Sequence, residues 1–356
     1  MNGERPRIRE LPGGRLHLSH GPIDVVLRAW GPPPAIDAAY RAAAGRFGEI
    51  LPELCRELPL LRRAVNRHST PFANATGSPF PLWGGVRRAG TPDVDCSGIL
   101  PTLSLRHKGG GDVRTAVPSN LDDHHLPQHP SSPVGRRMYG ACRPFADVFV
   151  TPMAAVAGAV ADELMAVMLG AAELERAYVN DGGDIAVHCA PGAALDVGVA
   201  GDFGRGPAPL LNGSLRIEHG DGVGGIATSG AHGRSFSLGI ADSVTVLASD
   251  AATADVAATL IANAVNIDHP AVERWPAREL APDSDLGDLP VTVTVGELLP
   301  EAVLEALEAG RRRAAGYHAR GLIADAVLML AGETASLFAD IALISGAAQR
   351  HLAKVS

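Results

Sequence analysis

The stretch from Met153 to Val167 most narrows what this chain can become. Met153, Val156, Ala157, Val160, Leu164 and Val167 recur at helical spacing, which makes one apolar stripe. Thr151-Pro152 stands just before them. A threonine oxygen suits an N-cap and proline suits the first helical position. Ala154, Ala155, Ala157, Gly158, Ala159 and Ala161 make the same helix slim. A slim helix lets another backbone or a ligand come close. Tight helix-on-sheet packing meets that condition as well as a bound molecule does.

Around this helix, strand-like and helical segments are mixed. Residues 15–30 read as a hairpin turning at His20-Gly21-Pro22, and Ile36 to Arg56 has helical spacing. Tyr178-Val179 and Ile185 to Val187 are short strands on either side of Asn180-Asp181-Gly182-Gly183-Asp184. Further strands are expected at Leu195 to Ala200, Ser214 to Glu218, Ser243 to Ala248 and Val291 to Val295. Ser249 or Asp250 caps a helix running to about Val265, and helices are expected over 300–313 and 320–347. Regular β-α alternation is missing, so the fold class is α+β rather than a doubly wound sheet.

Residues 1–65 and 131–300 are expected to form one α+β core, with 301–356 as C-terminal helices packed on it. Residues 66–130 break the pattern: eight glycines and eight prolines, and no sustained period. They read as an irregular or disordered insertion. Five histidines fall there, His68, His107, His124, His125 and His129. A metal site among them is the sharper reading, and scattered solvated loop side chains the favoured one.

The chain has 31 basic and 39 acidic residues, for a net charge of -8. Without a clustered basic run, nucleic acid is a poor partner, because counterion release needs clustered Lys and Arg. Arg311-Arg312-Arg313 reads as a solvated helix end. The first ten residues lack the apolar core of a signal peptide. Val148 to Ala161 is too short to cross a bilayer. A cytoplasmic protein without a membrane partner is expected, acting on a small-molecule or nucleotide ligand, with a homodimer as a candidate assembly. Cys55, Cys96, Cys142 and Cys189 form no Cys-x-x-Cys pair, so reduced, structural thiols are expected.

Three clusters could carry chemistry. In the first, Gly182 and Gly183 permit positive φ and close approach of a ligand, flanked by the polar Asn180 and Asp184; an ordinary hairpin turn explains it equally well. The second is Gly224 to Gly230 followed by His232. Thr228, Ser229 and Gly230 could make an anion-binding concavity, and Ser229 with His232 could form a nucleophile and base, the less favoured reading. The third is a helix face bearing Asp255 and Thr259, four residues apart, and Asn263. A carboxylate with a hydroxyl suits Mg2+; an exposed polar stripe is the plain alternative. Asp242, before the SVTVLA strand, is a further carboxylate near the sheet end.

At these clusters the sequence resembles the ApbE-like proteins, in the branch called uncharacterised protein family 0280. The resemblance is carried by RPFADVFVTPMAAVAGAVADEL (143–164), VNDGGDIAV (179–187), GIATSGAHGRSFSLGIADSVTV (225–246) and ADVAATLIANAV (254–265). It runs over about 1–65 and 131–335. The distant relatives are Mg2+-dependent flavin transferases that move FMN from FAD to a Thr or Ser of a target protein. By resemblance, Asn180, Gly182, Gly183 and Asp184 match their flavin-site turn, and Asp255 and Thr259 match their metal ligands. Gly158 and Asp162 match the Gly and Asp of a Lys-Gly-x-x-x-Asp helix motif. The transferases carry Lys where this chain has Ala157, and His-Ile-Ile-Asp-Pro where it has SFSLGI over Ser235 to Ile240. Both replaced elements help bind or activate the dinucleotide.

The resemblance implies an ApbE-like mixed sheet with packed helices, with FAD and Mg2+ as candidate cofactors. It implies an enzyme of FMN transfer or FAD pyrophosphate cleavage. The binding residues would be Asn180, Gly182, Gly183, Asp184, Thr228 and Gly230, the metal ligands Asp255 and Thr259, and the catalytic side chains Asp242, Ser229 and His232. Two alternatives stand beside it: an enzyme of small pyridine-type heterocycle catabolism in the same pocket, and a ligand-binding protein without catalysis.

Overall fold

The computed structural model describes residues 5–65, 129–202, 210–233, 235–337 and 342–343. The 66–130 insertion, with four of its five histidines, lies outside the described residues except for His129 and Pro130. In chain order, β1 (Arg7–Leu11), β2 (Arg15–His20) and β3 (Ile23–Trp30) precede helices α1 (Pro33–Leu61), α2 (Pro133–Cys142) and α3 (Val156–Ala171). Five strands follow: β4 (Arg176–Asp181), β5 (Asp184–Cys189), β6 (Ala194–Asp202), β7 (Leu210–Glu218) and β8 (Gly225–Ser229). Then come β9 (Ser243–Ala248), α4 (Ala251–Ala264), β10 (Val272–Pro276), the short α5 (Ala277–Leu280) and β11 (Pro290–Val295). The described chain closes with α6 (Pro300–Ala319), β12 (Asp325–Leu330), β13 (Glu333–Ser336) and the bridge β14 (Ala342–Leu343).

The nine-stranded main sheet has the order β1-β2-β3-β4-β5-β8-β9-β12-β13. Its pairs are all antiparallel. Two-residue alternation divides its side chains between two faces. Leu16, Leu18, Val25, Leu27, Ala177, Val179, Val244 and Val246 face the large core shared with the helices. Val187, Ile226 and Leu247 face the other way and pack on Leu195 and Ile217 of the β6–β7 hairpin. The sheet is thus covered by helices on one side and by a small β-layer on the other, an α+β architecture.

The slim helix α3 is pressed between its neighbours as its composition requires. Gly158 carries no side chain because the backbone of α4 is there: a Cβ would lie 2.3 Å from the Ala251 carbonyl oxygen. The segment Pro152–Ala171 is long and apolar enough by length and composition to cross a membrane, but 56% of its most apolar window is buried inside the protein. A core helix accounts for that apolarity, and the shorter Val148 to Ala161 stretch understated its extent.

Three expectations are corrected. No helix spans 320–347. β12 pairs with β9 from Asp325–Leu247 to Met329–Ser243 and turns back into β13, so this part of the C-terminal region belongs to the sheet, with α6 as its helix. Thr151 and Pro152 hold the N-cap and first positions of a short 3-10 turn, Pro152–Ala155, without a side-chain cap hydrogen bond, and α3 itself begins at Val156. Cys55 is in a disulfide, whereas Cys142 and Cys189 are free thiols.

Candidate functional site

The β4–β5 hairpin turn is made by local chemistry. Asp181 pairs with Asp184 across it, and Gly182 and Gly183 take φ of 68° and 118°, which side chains resist. The Asn180 side-chain oxygen accepts the Gly183 N–H at 2.9 Å. On the neighbouring strand, Thr228 and Thr245 hydroxyls lie 2.9 Å apart. Gly230 passes against β9 so closely that a Cβ would sit 2.3 Å from the Asp242 carbonyl oxygen.

Asp250 caps α4, accepting the Thr253 N–H at 2.8 Å. One turn later Asp255 points back towards α3, where its carboxylate accepts the Gly158 N–H at 3.1 Å. Asp162 makes the opposite crossing and accepts the Ala251 and Ala252 N–H groups at 3.0 and 2.9 Å. Burial lifts the Asp162 carboxyl to about 6, helped by the neighbouring Asp250 and opposed by those two N–H groups and Arg137. Asp255 is pushed well above the usual carboxylate range, first by burial and then by Asp184 and Asp181; the N–H groups of Gly158 and Ala157 act the other way.

Asp242 holds two partners. One oxygen lies 3.2 Å from His232 Nε2 and the other accepts the Ala331 N–H at 2.6 Å. Among the described hydrogen bonds none joins Ser229 to His232, so the structure pairs His232 with Asp242 and leaves the serine as a cavity hydroxyl.

The eleven residues given binding, metal or catalytic roles from the sequence line one cavity of about 620 Å3: Asn180, Gly182, Gly183, Asp184, Thr228, Ser229, Gly230, His232, Asp242, Asp255 and Thr259. The Asn180 and Thr228 turns share a single cleft. Asp255 is part of the cavity wall and not of an exposed stripe. Ala157, Ser235 and Phe236, where the resemblance breaks, line the same space.

Sequence reasoning missed Phe149, Asp285 and Leu286, which also line it. The Thr151 hydroxyl donates to Asp285 at 2.5 Å across 134 residues of sequence, a juxtaposition no local pattern encodes. Phe149 is an aromatic with 47% exposure, a feature visible only once the cavity is seen.

The described lining holds five aspartates, Asp181, Asp184, Asp242, Asp255 and Asp285, and neither lysine nor arginine. Among the described residues no three His, Cys, Asp or Glu side chains converge to hold an ion unaided. Asp255 with Thr259 on α4 nevertheless fits Mg2+. The ion takes oxygen donors, needs only one or two carboxylates when a ligand supplies phosphates, and would offset both the burial that chiefly raises Asp255 and the repulsion from Asp184 and Asp181 that adds to it.

A family model described as AbpE bacteria matches residues 8–78 and 116–336, most of the chain. A UPF0280 protein of Methanothrix thermoacetophila is 38% identical over 149 residues, covering 42% of this chain and 59% of the relative. A UPF0280 protein of Methanopyrus kandleri is 38% identical over 157 residues, covering 44% of this chain and 58% of the relative. The chain therefore spans under two thirds of the length of these relatives. The crystal structure of the ApbE protein from Thermotoga maritima aligns at a TM-score of 0.32 and 18% identity, over 53% of this chain and 51% of that one.

Proposed function

We propose that this chain, which belongs to the AbpE bacteria family, binds a flavin-type dinucleotide as its Mg2+ complex in the aspartate-lined cavity and acts on the diphosphate. The observation that carries the reading is the wall itself: a cavity with five aspartates and no lysine or arginine among its described lining residues repels a bare dinucleotide. A diphosphate enters such a space only with its charge neutralised.

Asp255 and Thr259 would hold the ion, and it would supply charge neutralisation at the diphosphate. The chain's own groups divide the remaining work. The Gly182-Gly183 turn lets a ring system approach the main chain, and Phe149 and Phe236 give it an apolar surface. Asp242 orients His232. His232 would take the proton of an attacking hydroxyl, from water or from a protein Thr or Ser, as the diphosphate bond breaks and AMP departs.

A second reading rests on Ala157. Where the resembled transferases place lysine, this cavity has a methyl group. An acidic, partly apolar cavity of this kind also fits a nitrogen heterocycle that carries its own positive charge, and such a ligand needs no metal. Calorimetry separates the two. FAD titrated with and without Mg2+ should bind at least ten-fold more tightly with the ion. Equal affinities in the two titrations would overturn the first reading. Metal-independent binding of a pyridinium-type cation would then favour the second, and inertness to both a protein without this chemistry.

A further inference from the structure

The Arg311-Arg312-Arg313 run reads from sequence as a solvated helix end. The structure gives two of these arginines a setting. Ala309, Arg312, Arg313, Gly316, Tyr317 and Arg320 of α6 and its C-cap, with Asp147 opposite, enclose an open groove of about 460 Å3. Their spacing puts the small residues Ala309 and Gly316 one turn before and one turn after the Arg312-Arg313 pair on one helix face. The small residues make the hollow and the arginines rim it.

The arginines are under-compensated. Arg312 reaches Glu308 only at 3.9 Å, with the arginine side chain 67% exposed. Arg320 lies 3.6 Å from Asp147 and also donates to the Pro144 carbonyl oxygen. That leaves three guanidinium groups against one carboxylate within the groove lining. Helix-dipole complementarity accounts for basic side chains near a helix C-terminus, but it needs neither a hollow nor the next feature.

Tyr317 forms the floor. It is 2% exposed, and Phe145 holds its ring edge-on at 4.8 Å between centroids. Its hydroxyl is buried and makes no hydrogen bond of ordinary geometry; burial pushes it above the ordinary tyrosine value, and the neighbouring Arg313 acts the other way. A buried donor without a partner is costly. Arg313 and Arg320 lie 6.0 and 5.9 Å from the ring centroid, so charge and donor converge on one place.

We propose that this groove is a second ligand site, separate from the aspartate-lined cavity, which takes a free phosphate or diphosphate group between Arg312, Arg313 and Arg320 over the Tyr317 hydroxyl. Guanidinium groups match phosphate oxygens as paired donors, and the tyrosine hydroxyl supplies one more. The opposite signs of the two sites let one molecule hold an anion in each only if the cavity also holds a cation.

The test is a calorimetric titration of inorganic pyrophosphate into the full chain at low salt without Mg2+. One saturable event per chain is expected. Arg313→Gln and Arg312→Gln should each weaken it about ten-fold, and Tyr317→Phe by a few-fold, while Asp255→Asn leaves it unchanged. An unsaturable titration, or equal binding in the Arg312→Gln/Arg313→Gln double variant, would overturn the proposal. So would binding lost in Asp255→Asn and kept in the arginine variants, which would move the event to the cavity.

Discussion

Asp162 and Asp255 cap each other's helices: the Asp162 carboxylate of α3 takes the first N–H groups of α4, and the Asp255 carboxylate of α4 takes the Gly158 N–H near the start of α3. Two positive helix ends thereby meet two carboxylates at a point where side-chain volume is almost absent. The exchange fixes the angle at which Asp255 enters the cavity wall.

This exchange has a cost that depends on pH. Asp162 titrates near 6 in the folded chain and near the ordinary carboxylate value when unfolded, so the folded state holds the extra proton between the two. Stability should therefore be fully present at low pH and fall as pH rises through about 6, by about 3 kcal/mol for this group. Asp255 contributes with the same sign. Urea unfolding at a series of pH values should show a decline from about pH 4 to 6 that Asp162→Asn flattens. An unaltered slope in that variant would refute the assignment.

Gly158→Ala should be severe for so small a change. The new methyl would meet backbone, 2.3 Å from the Ala251 oxygen, and backbone cannot rotate away. A loss of about 2 kcal/mol is expected, read as a lower urea midpoint. Gly140→Ala, in α2 with open space where its Cβ would go, serves as the control and should not lower it.

Ligand coupling should separate Asp255 from Thr259. Asp255→Asn keeps an oxygen for the Gly158 N–H but loses the charge, so the ten-fold or greater effect of Mg2+ on FAD affinity should disappear with the fold intact. Thr259→Val should keep most of it, since water can replace one neutral oxygen. If the two variants behave alike, the carboxylate is not the ion's principal anchor.

Asn180→Ala removes the acceptor that closes the glycine turn. A stability loss of about 1 kcal/mol is expected, with a larger proportional loss of ligand affinity, because the turn shapes the cavity rim. Thermal shift with and without ligand would show the difference; equal shifts would assign Asn180 to the fold alone.

What could be read in the sequence follows the range of the physics. The Asn180 to Asp184 turn was legible because its glycine conformations and its side-chain closure lie within five residues. Asp250 was legible as a cap, and Asp255 with Thr259 as one helix face, for the same reason. That the helix face turns inward was not legible from periodicity alone; family resemblance suggested it. β12 was misread because Leu322 to Leu330 is a short apolar run, and periodicity does not separate a buried strand from a helix in such a run. Asp285 and Phe149 reach the cavity from segments whose own sequence carries no cavity signal.

The position of β12 also has a meaning in time. It joins the sheet between β9 and β13, and the backbone of the turn after it, at Ala331, holds the Asp242 carboxylate that faces His232. During synthesis every described lining residue of the cavity is made before that turn. A nascent chain can therefore assemble its hairpins and helices early, yet Asp242 acquires both of these partners only when a segment made after the lining residues docks against the sheet.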